Sequence, residues 1–298
     1  ELINLYTCVR EKNKELIKYL QLEANEFNSL GYFVDEHTTE ILDLYLSKIS
    51  IDEYINNYNE FFSSLAEGYT SIFLKELKKN LTNKIFRSAK LEKENGAISD
   101  KDRLDNIEAS MKSAYYMYIR YLQNHLSELS KGRQAAVFFF IREFCYSSMF
   151  RYNAKGEFNV PYGGISYNRK DFQKKINYLF SNEMISKLAN TDIHCEDFET
   201  FIENLNLTED DFIFLDPPYD SDFSTYAQNE FGHEEQIRLC ECLKRTPAKI
   251  LLIIKNTDFI YNLYNNEHFN ITSFDKKYMV SFMNRNNKDV EHLVITNY

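Results

Sequence analysis

The pattern of apolar positions along the chain changes twice, and each change predicts a different kind of structure. From residue 1 to about residue 150, apolar residues recur at spacings of three and four, the period of amphipathic helices. This period is clearest in the stretches 51–65, 71–86 and 111–129. Residues 93–106 are polar and predict an exposed connection between two helices. The first half of the chain is therefore expected to be helical and to contain no strand.

A second pattern begins at residue 137, where a long apolar run predicts a helix or another buried element. It gives way at residues 151–164 to the segment RYNAKGEFNVPYGG. Aromatic and β-branched residues surround Gly156 there, and the segment ends with Pro161 and two glycines. This composition is typical of a hairpin or loop that carries exposed polar side chains.

Beyond residue 190, short apolar runs alternate with helical stretches. Strands are predicted at 192–198, 211–219, 249–256, 278–283 and 291–298. Residues 232–245 predict a helix between the second and third of these strands. A strand, a helix and a further strand in succession indicate a parallel sheet with right-handed crossovers. The last third of the chain is therefore expected to be an α/β core that ends in an antiparallel hairpin.

The net charge of −10 would ordinarily count against a nucleic-acid partner, because neutralising phosphates supplies most of the binding free energy for such ligands. The distribution of charge changes this picture. Residues 131–175 hold nine basic and three acidic residues, and residues 71–93 hold seven basic and two acidic ones. Such clusters are commonly solvated faces, but the first cluster is interleaved with aromatic residues, which favours contact with nucleic acid.

Several classes of protein are excluded by composition. The five cysteines are an odd number and form no C-x-x-C pair, which argues against a disulfide framework and a thiolate zinc site. The histidines lack the spacing that zinc hydrolases use, so no metal site is expected. No apolar run has the length of a membrane helix, and the charged front of the chain resembles no signal peptide. A cytoplasmic location is the expectation.

Residues 212–219 read FIFLDPPY, and two of the four prolines of the chain stand together there. The unbroken apolar run is typical of a parallel strand covered on both faces, and ligands bind beyond the carboxyl ends of such strands. Each proline fixes φ and lacks an N–H group. The segment therefore predicts a stiff corner at which the Asp216 carboxylate and the Pro217 carbonyl form two adjacent hydrogen-bond acceptors.

Two adjacent acceptors suit an amino group. The exocyclic amine of a nucleobase is a poor nucleophile because its lone pair is delocalised into the ring. Accepting both of its hydrogens would favour a pyramidal nitrogen whose lone pair faces an electrophile. Tyr219 can stack on the base, a contact worth roughly 1–3 kcal/mol. The alternative, a strand that ends in a β-turn capped by Asp216, is less favoured after an apolar strand in an α/β context.

The hairpin and this corner together resemble the amino-directed DNA methyltransferases, specifically the adenine methylases of the Dam type. The resemblance covers nearly the whole chain. ELINLY at the start is similar to the helix after the family's second strand, FRYNAKGEFNVPYGG to its DNA-contacting hairpin, CEDF to the segment beside the cofactor adenine, FLDPPY to the catalytic motif and EHLVITNY to the closing strand.

This resemblance implies an α/β fold, with a Rossmann-like S-adenosylmethionine-dependent methyltransferase sheet and an inserted, mostly helical DNA-recognition domain that carries the β-hairpin. The catalytic domain would comprise residues 1–50 and 176–298, and the target-recognition domain residues 51–175. The implied reaction is direct methyl transfer from S-adenosylmethionine to the exocyclic amine of a flipped adenine in double-stranded DNA. It requires no metal and no covalent enzyme intermediate.

The resemblance also assigns roles to individual residues. The catalytic residues would be Asp216, Pro217, Pro218 and Tyr219. The cofactor would be bordered by Asp197, Phe198 and Asp216. DNA would be contacted by Arg151, Tyr152, Asn153 and Lys155. Arginine, lysine and asparagine suit phosphates and base edges, although Tyr152 and Phe158 also suit simple packing across a hairpin.

The chain departs from the family pattern at several points. The Gly-rich cofactor motif and the acidic residue that binds the cofactor ribose have no match, so the chain looks cut at its front. Lys255 stands where the family usually has serine, and PYGG replaces a more basic continuation of the hairpin. The missing motif makes a second polypeptide that supplies it one expected partner. A restriction endonuclease is the other partner considered.

Two alternative functions stay open at this point. Without its own cofactor motif, the chain would be a DNA-binding module or one subunit of a split enzyme. A corner of this kind can also present its acceptors to cytosine or to RNA, and only the hairpin resemblance favours adenine in DNA.

Overall fold

Two units make up the chain in the computed structural model, Glu1–Ile193 and His194–Tyr298. The structure describes residues 1–219, 231–277 and 289–298. Within these ranges, no helix combines the length and the apolar character needed to cross a bilayer. The expected division into residues 1–50 with 176–298 and residues 51–175 stays a prediction.

The first unit is helical, as the apolar period predicts. Its helices are α1 (Leu2–Arg10), α2 (Lys14–Glu36), α3 (Thr38–Tyr45), α4 (Ile51–Asn57), α5 (Asn59–Ser63), α6 (Thr70–Asn95), α7 (Asp100–Gln123), α8 (Lys131–Phe144), α9 (Phe172–Leu179) and α10 (Asn182–Ala189). Helix α7 packs against α6 and α8, and α2 packs against α8.

Aromatic rings fill much of the core of this unit. Phe27 on α2 contacts Phe140 and Phe144 on α8, with ring centroids 5.5 and 4.3 Å apart, and Tyr115 on α7 at 6.2 Å. The Phe27–Tyr115 and Phe27–Phe140 pairs are edge-to-face, a favourable arrangement for buried rings. Burial of α7 on two sides explains why its tyrosines are core residues and not a functional cluster.

The predicted connection at residues 93–106 is wrong in extent. Helix α6 continues to Asn95 and α7 begins at Asp100, so only four residues join them. Ser99 caps α7 by accepting a hydrogen bond from the Asp102 N–H group, and two acidic residues in the first turn complement the helix dipole. The segment is polar because it forms exposed helix ends.

The second unit contains a four-stranded sheet among its described residues. Its elements are α11 (Phe198–Asn204), β1 (Phe212–Leu215), α12 (His233–Arg245), β2 (Lys249–Lys255), α13 (Asp258–Tyr264), β3 (Asn270–Lys277) and β4 (Asp289–Thr296). The strand order is β1-β2-β4-β3. Strands β1 and β2 are parallel, whereas β4 is antiparallel to both β2 and β3. The mixed α/β class, the parallel pair and the terminal antiparallel hairpin are confirmed.

Two strand predictions need correction, for residues 192–198 and for the two covered faces of β1, and a third lies outside the described residues. Residues 192–198 form no strand, because Asp197 caps α11 and so begins a helix. The hairpin uses β3, which the polar sequence NITSFDKK did not predict, and residues 278–283 lie outside the described residues. Strand β1 is not covered on both faces: Phe212 is 55% exposed and Phe214 58% exposed. It lies at an edge of the described sheet, where one of its sides is unpaired.

Candidate functional site

The corner at residues 216–219 directly follows β1, at the carboxyl end of the parallel pair. Asp216 and Pro218 are exposed, and Pro217 and Tyr219 are half-buried. Within residues 1–219, 231–277 and 289–298, neither the Asp216 carboxylate nor the Pro217 carbonyl has a hydrogen-bond partner. The Asp216 carboxylate is thus exposed, and neither acceptor is used by another described residue.

A buried glutamine on α12 restrains the corner through a hydrogen bond to its backbone. Gln236 on α12 donates a hydrogen bond from Nε2 to the Pro218 carbonyl oxygen over 2.9 Å. The Gln236 side chain is fully buried, and its Oε1 atom has no partner in the described part of the chain. A buried amide loses little freedom on making such a bond, so Gln236 fixes the backbone at Pro218 and leaves the Asp216 side chain free.

Tyr219 packs against the sheet. Its ring lies 5.3 Å from the ring of His292 on β4, at an interplanar angle of 74°. His292 is fully buried, pairs in register with Lys255 of β2 and contacts Phe274 of β3 at 5.6 Å. The Tyr219 ring is thus fixed by packing, while half-burial leaves part of it accessible.

The carboxylate of Asp197 is bound by an arginine on the same helix that carries Gln236. Arg238 donates from both terminal nitrogens to Asp197, over 2.6 and 2.9 Å. These hydrogen bonds lower the pKa of the Asp197 carboxyl. Asp197 also caps α11 through the N–H groups of Glu199 and Thr200. Helix α12 therefore binds both segments of the second unit that are predicted to be functional.

Phe198 lies beneath the same arginine. The Arg238 guanidinium is 4.4 Å from the centroid of the Phe198 ring, and Phe231 packs on it at 5.8 Å. Phe198 is half-buried. Asp197 and Phe198 thus combine an exposed carboxylate with a partly accessible aromatic ring.

At the end of β2, Asn256 is fixed and Lys255 is not. The Asn256 N–H group donates to the Glu291 carbonyl over 2.9 Å, and its side-chain amide donates to the Glu291 carboxylate. The Lys255 side chain is half-buried and has no ion pair within the described residues.

In the first unit, Asn153 organises the predicted hairpin. Its Oδ1 atom accepts hydrogen bonds from the N–H groups of Lys155 and Glu157, over 2.9 and 3.0 Å. Its Nδ2 atom donates to the Glu157 carboxylate over 2.8 Å. Gly156 has a φ of 78°, which glycine adopts without strain. Both ends of the Asn153 side chain are therefore used in forming the turn, and its predicted contact with DNA stays a prediction.

The other three hairpin residues differ in exposure. Arg151 and Lys155 are exposed, and Arg151 donates to the Asn159 side chain over 3.3 Å. Tyr152 is half-buried, and its ring packs edge-to-face on Phe158 at 5.9 Å. Residues 152 and 158 form an isolated antiparallel bridge, so the predicted hairpin turn is present with minimal strand pairing.

Two residues at or near the end of α7 anchor this hairpin to the helical unit. Asn124, the C-cap residue that follows α7, accepts from the Phe158 N–H group over 2.7 Å and donates to the Phe158 carbonyl over 3.2 Å. Tyr116 donates its hydroxyl hydrogen to the Val160 carbonyl over 2.9 Å. These anchors, like Gln236 and Arg238, carry no motif that the sequence could have revealed. A polar residue on the apolar stripe of a helix is the one available signal, and Gln236 shows it.

Comparison with known proteins identifies relatives of this chain. The model of the D12 class N6 adenine-specific DNA methyltransferases matches residues 71–280. The chain is 38% identical over 167 residues to the type II methyltransferase M.CviBI of Paramecium bursaria Chlorella virus NC1A, covering 55% of this chain and 61% of that protein. It is 33% identical over 202 residues to the type II methyltransferase M.MjaIII of Methanocaldococcus jannaschii, covering 64% of this chain and 66% of that protein.

A third relative is the DNA adenine methylase of Haemophilus influenzae, which is 30% identical over 145 residues, or 46% of this chain and 48% of that protein. The matched region thus spans less than two thirds of each of these three relatives.

Proposed function

The chain belongs to the D12 class N6 adenine-specific DNA methyltransferase family, and from this membership we propose that it methylates the exocyclic amine of adenine in double-stranded DNA. The observation that carries this proposal is the pair of acceptors at Asp216 and Pro217, neither of which is bound by another described residue.

Methyltransferases of this family use S-adenosylmethionine, and we propose that Asp197 and Phe198 border it. The Asp197 carboxylate fits the amino group of the cofactor adenine. A carboxylate oxygen can accept about two hydrogen bonds. Oδ1 already accepts from Arg238 and from the N–H groups of Glu199 and Thr200, whereas Oδ2 accepts from Arg238 alone among the described residues and can accept one more. The accessible part of the Phe198 ring fits the face of the same base. When bound, S-adenosylmethionine supplies an electrophilic methyl group on its sulfonium.

The proposed work of the corner is to orient the target amine. The Asp216 carboxylate and the Pro217 carbonyl accept its two hydrogens, which directs the nitrogen lone pair away from the protein backbone. Tyr219 stacks on the adenine ring after the base leaves the duplex. Pro218 keeps the corner rigid, and Gln236 holds it in place. The chain needs no covalent bond to the DNA for this reaction.

DNA binding is proposed for the hairpin in the first unit. Arg151 and Lys155 are exposed and can reach phosphates or guanine, while Tyr152 and Asn153 shape the surface around them. We propose in addition that the sheet is the Rossmann-like core of the family, that residues 51–175 form its inserted recognition domain, and that a restriction endonuclease or a second polypeptide is a partner in the cell.

The Asp216→Ala variant tests the assigned reaction. Removing one preorganised group of this kind costs roughly 10²–10³-fold in kcat, so adenine methylation should fall at least that far. DNA affinity should stay largely intact, because the Asp216 side chain makes no hydrogen bond or ion pair within the described residues. Transfer of radioactive methyl groups to a duplex and a DNA titration measure the two quantities.

Asp210→Ala is the matched control, because Asp210 is an exposed acid on the same segment without a side-chain bond in the described structure. Near-normal methylation by Asp216→Ala would refute the assigned role. Parallel assays with duplexes that contain cytosine but no adenine, and with RNA, would reveal a different acceptor. Failure of the unaltered protein to bind S-adenosylmethionine in calorimetry would instead indicate a DNA-binding module.

A further inference from the structure

A cavity of about 500 Å³ lies in the first unit, between helices α6 and α7. Pro161, Tyr162 and Gly164 close one side of it, and these residues end the segment that begins with Arg151. The volume falls within the range of small-ligand pockets in proteins. The cavity therefore borders the end of the proposed DNA-binding hairpin, but it is separate from the candidate functional site described above.

The charge of the cavity is unbalanced. Of the residues that line it, Lys84, Arg87 and Glu92 are charged. The Glu92 carboxylate is already neutralised, because Arg103 donates to it over 2.8 Å and the Tyr45 hydroxyl over 2.6 Å. The two cations on α6 therefore have no counter-ion among the described residues that line the cavity.

Lys84 shows the consequence of this imbalance. Its side chain is half-buried, and its Nζ atom has one hydrogen-bond partner in the described structure, Oδ1 of Asn106 at 3.3 Å. Burial and the neighbouring charge of Arg87 lower the pKa of its ammonium group. A charge that is partly removed from water is less costly when it is paired, so an anion bound here would offset part of that cost.

The remaining wall combines amides with apolar surface. Ser113 donates to Asn80 over 3.0 Å, and Ser110 donates to the Asn106 carbonyl over 2.9 Å. The exposed Asn83 amide, by contrast, has no hydrogen-bond partner in the described residues. A free amide can bond the edge of a base. Leu91 and Ile98 add apolar surface against which a ring can pack.

We propose that this cavity binds a nucleotide unit, with Lys84 and Arg87 on its phosphate and Asn83 on its base. Lysine and arginine are the usual partners of phosphate oxygens. The unit belongs either to the bound DNA strand or to a free nucleotide. The first source rests on the proposed DNA-binding function, and the second is independent of it.

The test compares two double variants of equal charge change on the same helix. K84Q/R87Q removes the two cations of the cavity, whereas K75Q/K93Q removes two exposed lysines that do not line it. In one assay, duplex affinity is measured over a series of salt concentrations. Each phosphate that is no longer neutralised lowers the slope of log K against log salt by about 0.9. K84Q/R87Q removes both partners of one phosphate and should lower the slope by about that amount, and the control should not.

In the other assay, binding of inorganic phosphate and of adenosine monophosphate is followed by nuclear magnetic resonance without DNA. A loss of slope in K84Q/R87Q alone supports a DNA phosphate. An unchanged slope with loss of nucleotide binding in K84Q/R87Q supports a free nucleotide. If K84Q/R87Q matches K75Q/K93Q in both assays, the proposal is overturned.

Arg87→Gln alone guards against misfolding. This side chain is exposed, so its replacement should reduce the slope in part without affecting the fold. The outcome is separable from that of the proposed methylation. A protein that fails to methylate or to bind DNA would refute the proposed function, but the phosphate and nucleotide assay would still test the cavity.

Discussion

The hairpin at residues 151–164 and the corner at residues 216–219 are both predicted to contact DNA, yet their polar groups are used in opposite ways. At the hairpin tip, every polar atom of the Asn153 side chain bonds to its own turn. At the corner, the Asp216 carboxylate bonds to nothing in the described structure. The polar side-chain atoms of Asn153 stabilise the hairpin turn itself, whereas other groups stabilise the corner and leave the Asp216 carboxylate unused by other described residues.

The source of that stabilisation differs between the two regions. Prolines restrict the corner internally, and a hydrogen bond from the buried Gln236 restrains it from outside. The hairpin has a glycine at its tip and therefore needs side-chain bonds within the turn. A site that must present free acceptors is best held by groups that do not take part in the chemistry. Gln236 should then matter for the rate and Asn153 for DNA affinity.

Among the variants that test this comparison, Gln236→Met is expected to have the largest effect. Methionine preserves the volume of the buried side chain but cannot donate to the Pro218 carbonyl, so the corner should shift. A misplacement of about 1 Å can cost on the order of 10²-fold in rate, and we expect kcat to fall by about 10-fold to 10²-fold. The KM for S-adenosylmethionine and the melting temperature should stay near those of the unaltered protein.

Glu234→Gln serves as the control, because Glu234 is exposed in the first turn of the same helix. If Gln236→Met lowers the melting temperature enough for unfolding to account for the lost activity, Gln236 has a purely structural role. An unchanged kcat would show that the prolines alone suffice to hold the corner.

Much of the fold follows from the sequence, because it depends on local periodicity. The spacing of apolar residues predicts α6 and α7, and continuous apolar runs predict β1 and β2. The errors occur where a single side chain or a distant partner decides. Asp197 begins a helix where a strand is expected, and the polar β3 forms because β4 pairs with it.

The candidate site divides in the same way. Asp216 to Tyr219 are contiguous, so their chemistry is visible in the sequence. The groups that hold the site are separated in the sequence from what they hold: Gln236 lies 18 residues from Pro218, and Arg238 lies 41 residues from Asp197. Such pairs carry no local pattern, and the fold alone brings them together.

A smaller effect is expected at the hairpin tip. Asn153→Ala removes three hydrogen bonds of the turn, each worth roughly 0.5–1.5 kcal/mol, and part of that loss should appear as a fall of about 5-fold to 10-fold in DNA affinity. The double variant N153D/E157Q exchanges the amide and the carboxylate. It keeps the net charge and allows the same three bonds.

The exchange distinguishes a residue that shapes the turn from one that contacts a base. If Asn153 acts through the turn, the affinity of N153D/E157Q for a short duplex should lie within about twofold of that of the unaltered protein. A twofold change in affinity corresponds to less free energy than one typical hydrogen bond contributes. An affinity as low as that of Asn153→Ala would show that the Asn153 amide contacts the DNA directly. Fluorescence anisotropy at fixed salt measures all three proteins.

The smallest effect is expected for Arg238→Gln, which tests whether the segment at Asp197 resembles the hairpin or the corner. Asp197 is exposed like Asp216 but is bound like Asn153. Solvent screens an exposed ion pair, so the KM for S-adenosylmethionine should rise only about threefold and kcat should not change. Arg245→Gln is the control, because Arg245 on the same helix binds Glu199 and Glu203 but not Asp197.

The pH dependence of this variant provides the sharper test. In the unaltered protein, the bonds from Arg238 lower the pKa of Asp197, so its carboxylate stays charged until the pH falls through that lowered value. Without Arg238 the pKa returns toward the ordinary value, and cofactor binding should weaken at a higher pH as the solution is acidified. Arg245→Gln should leave that pH unchanged. If Arg238→Gln also leaves that pH unchanged, the Asp197 carboxylate does not contact the cofactor, and other groups must hold it.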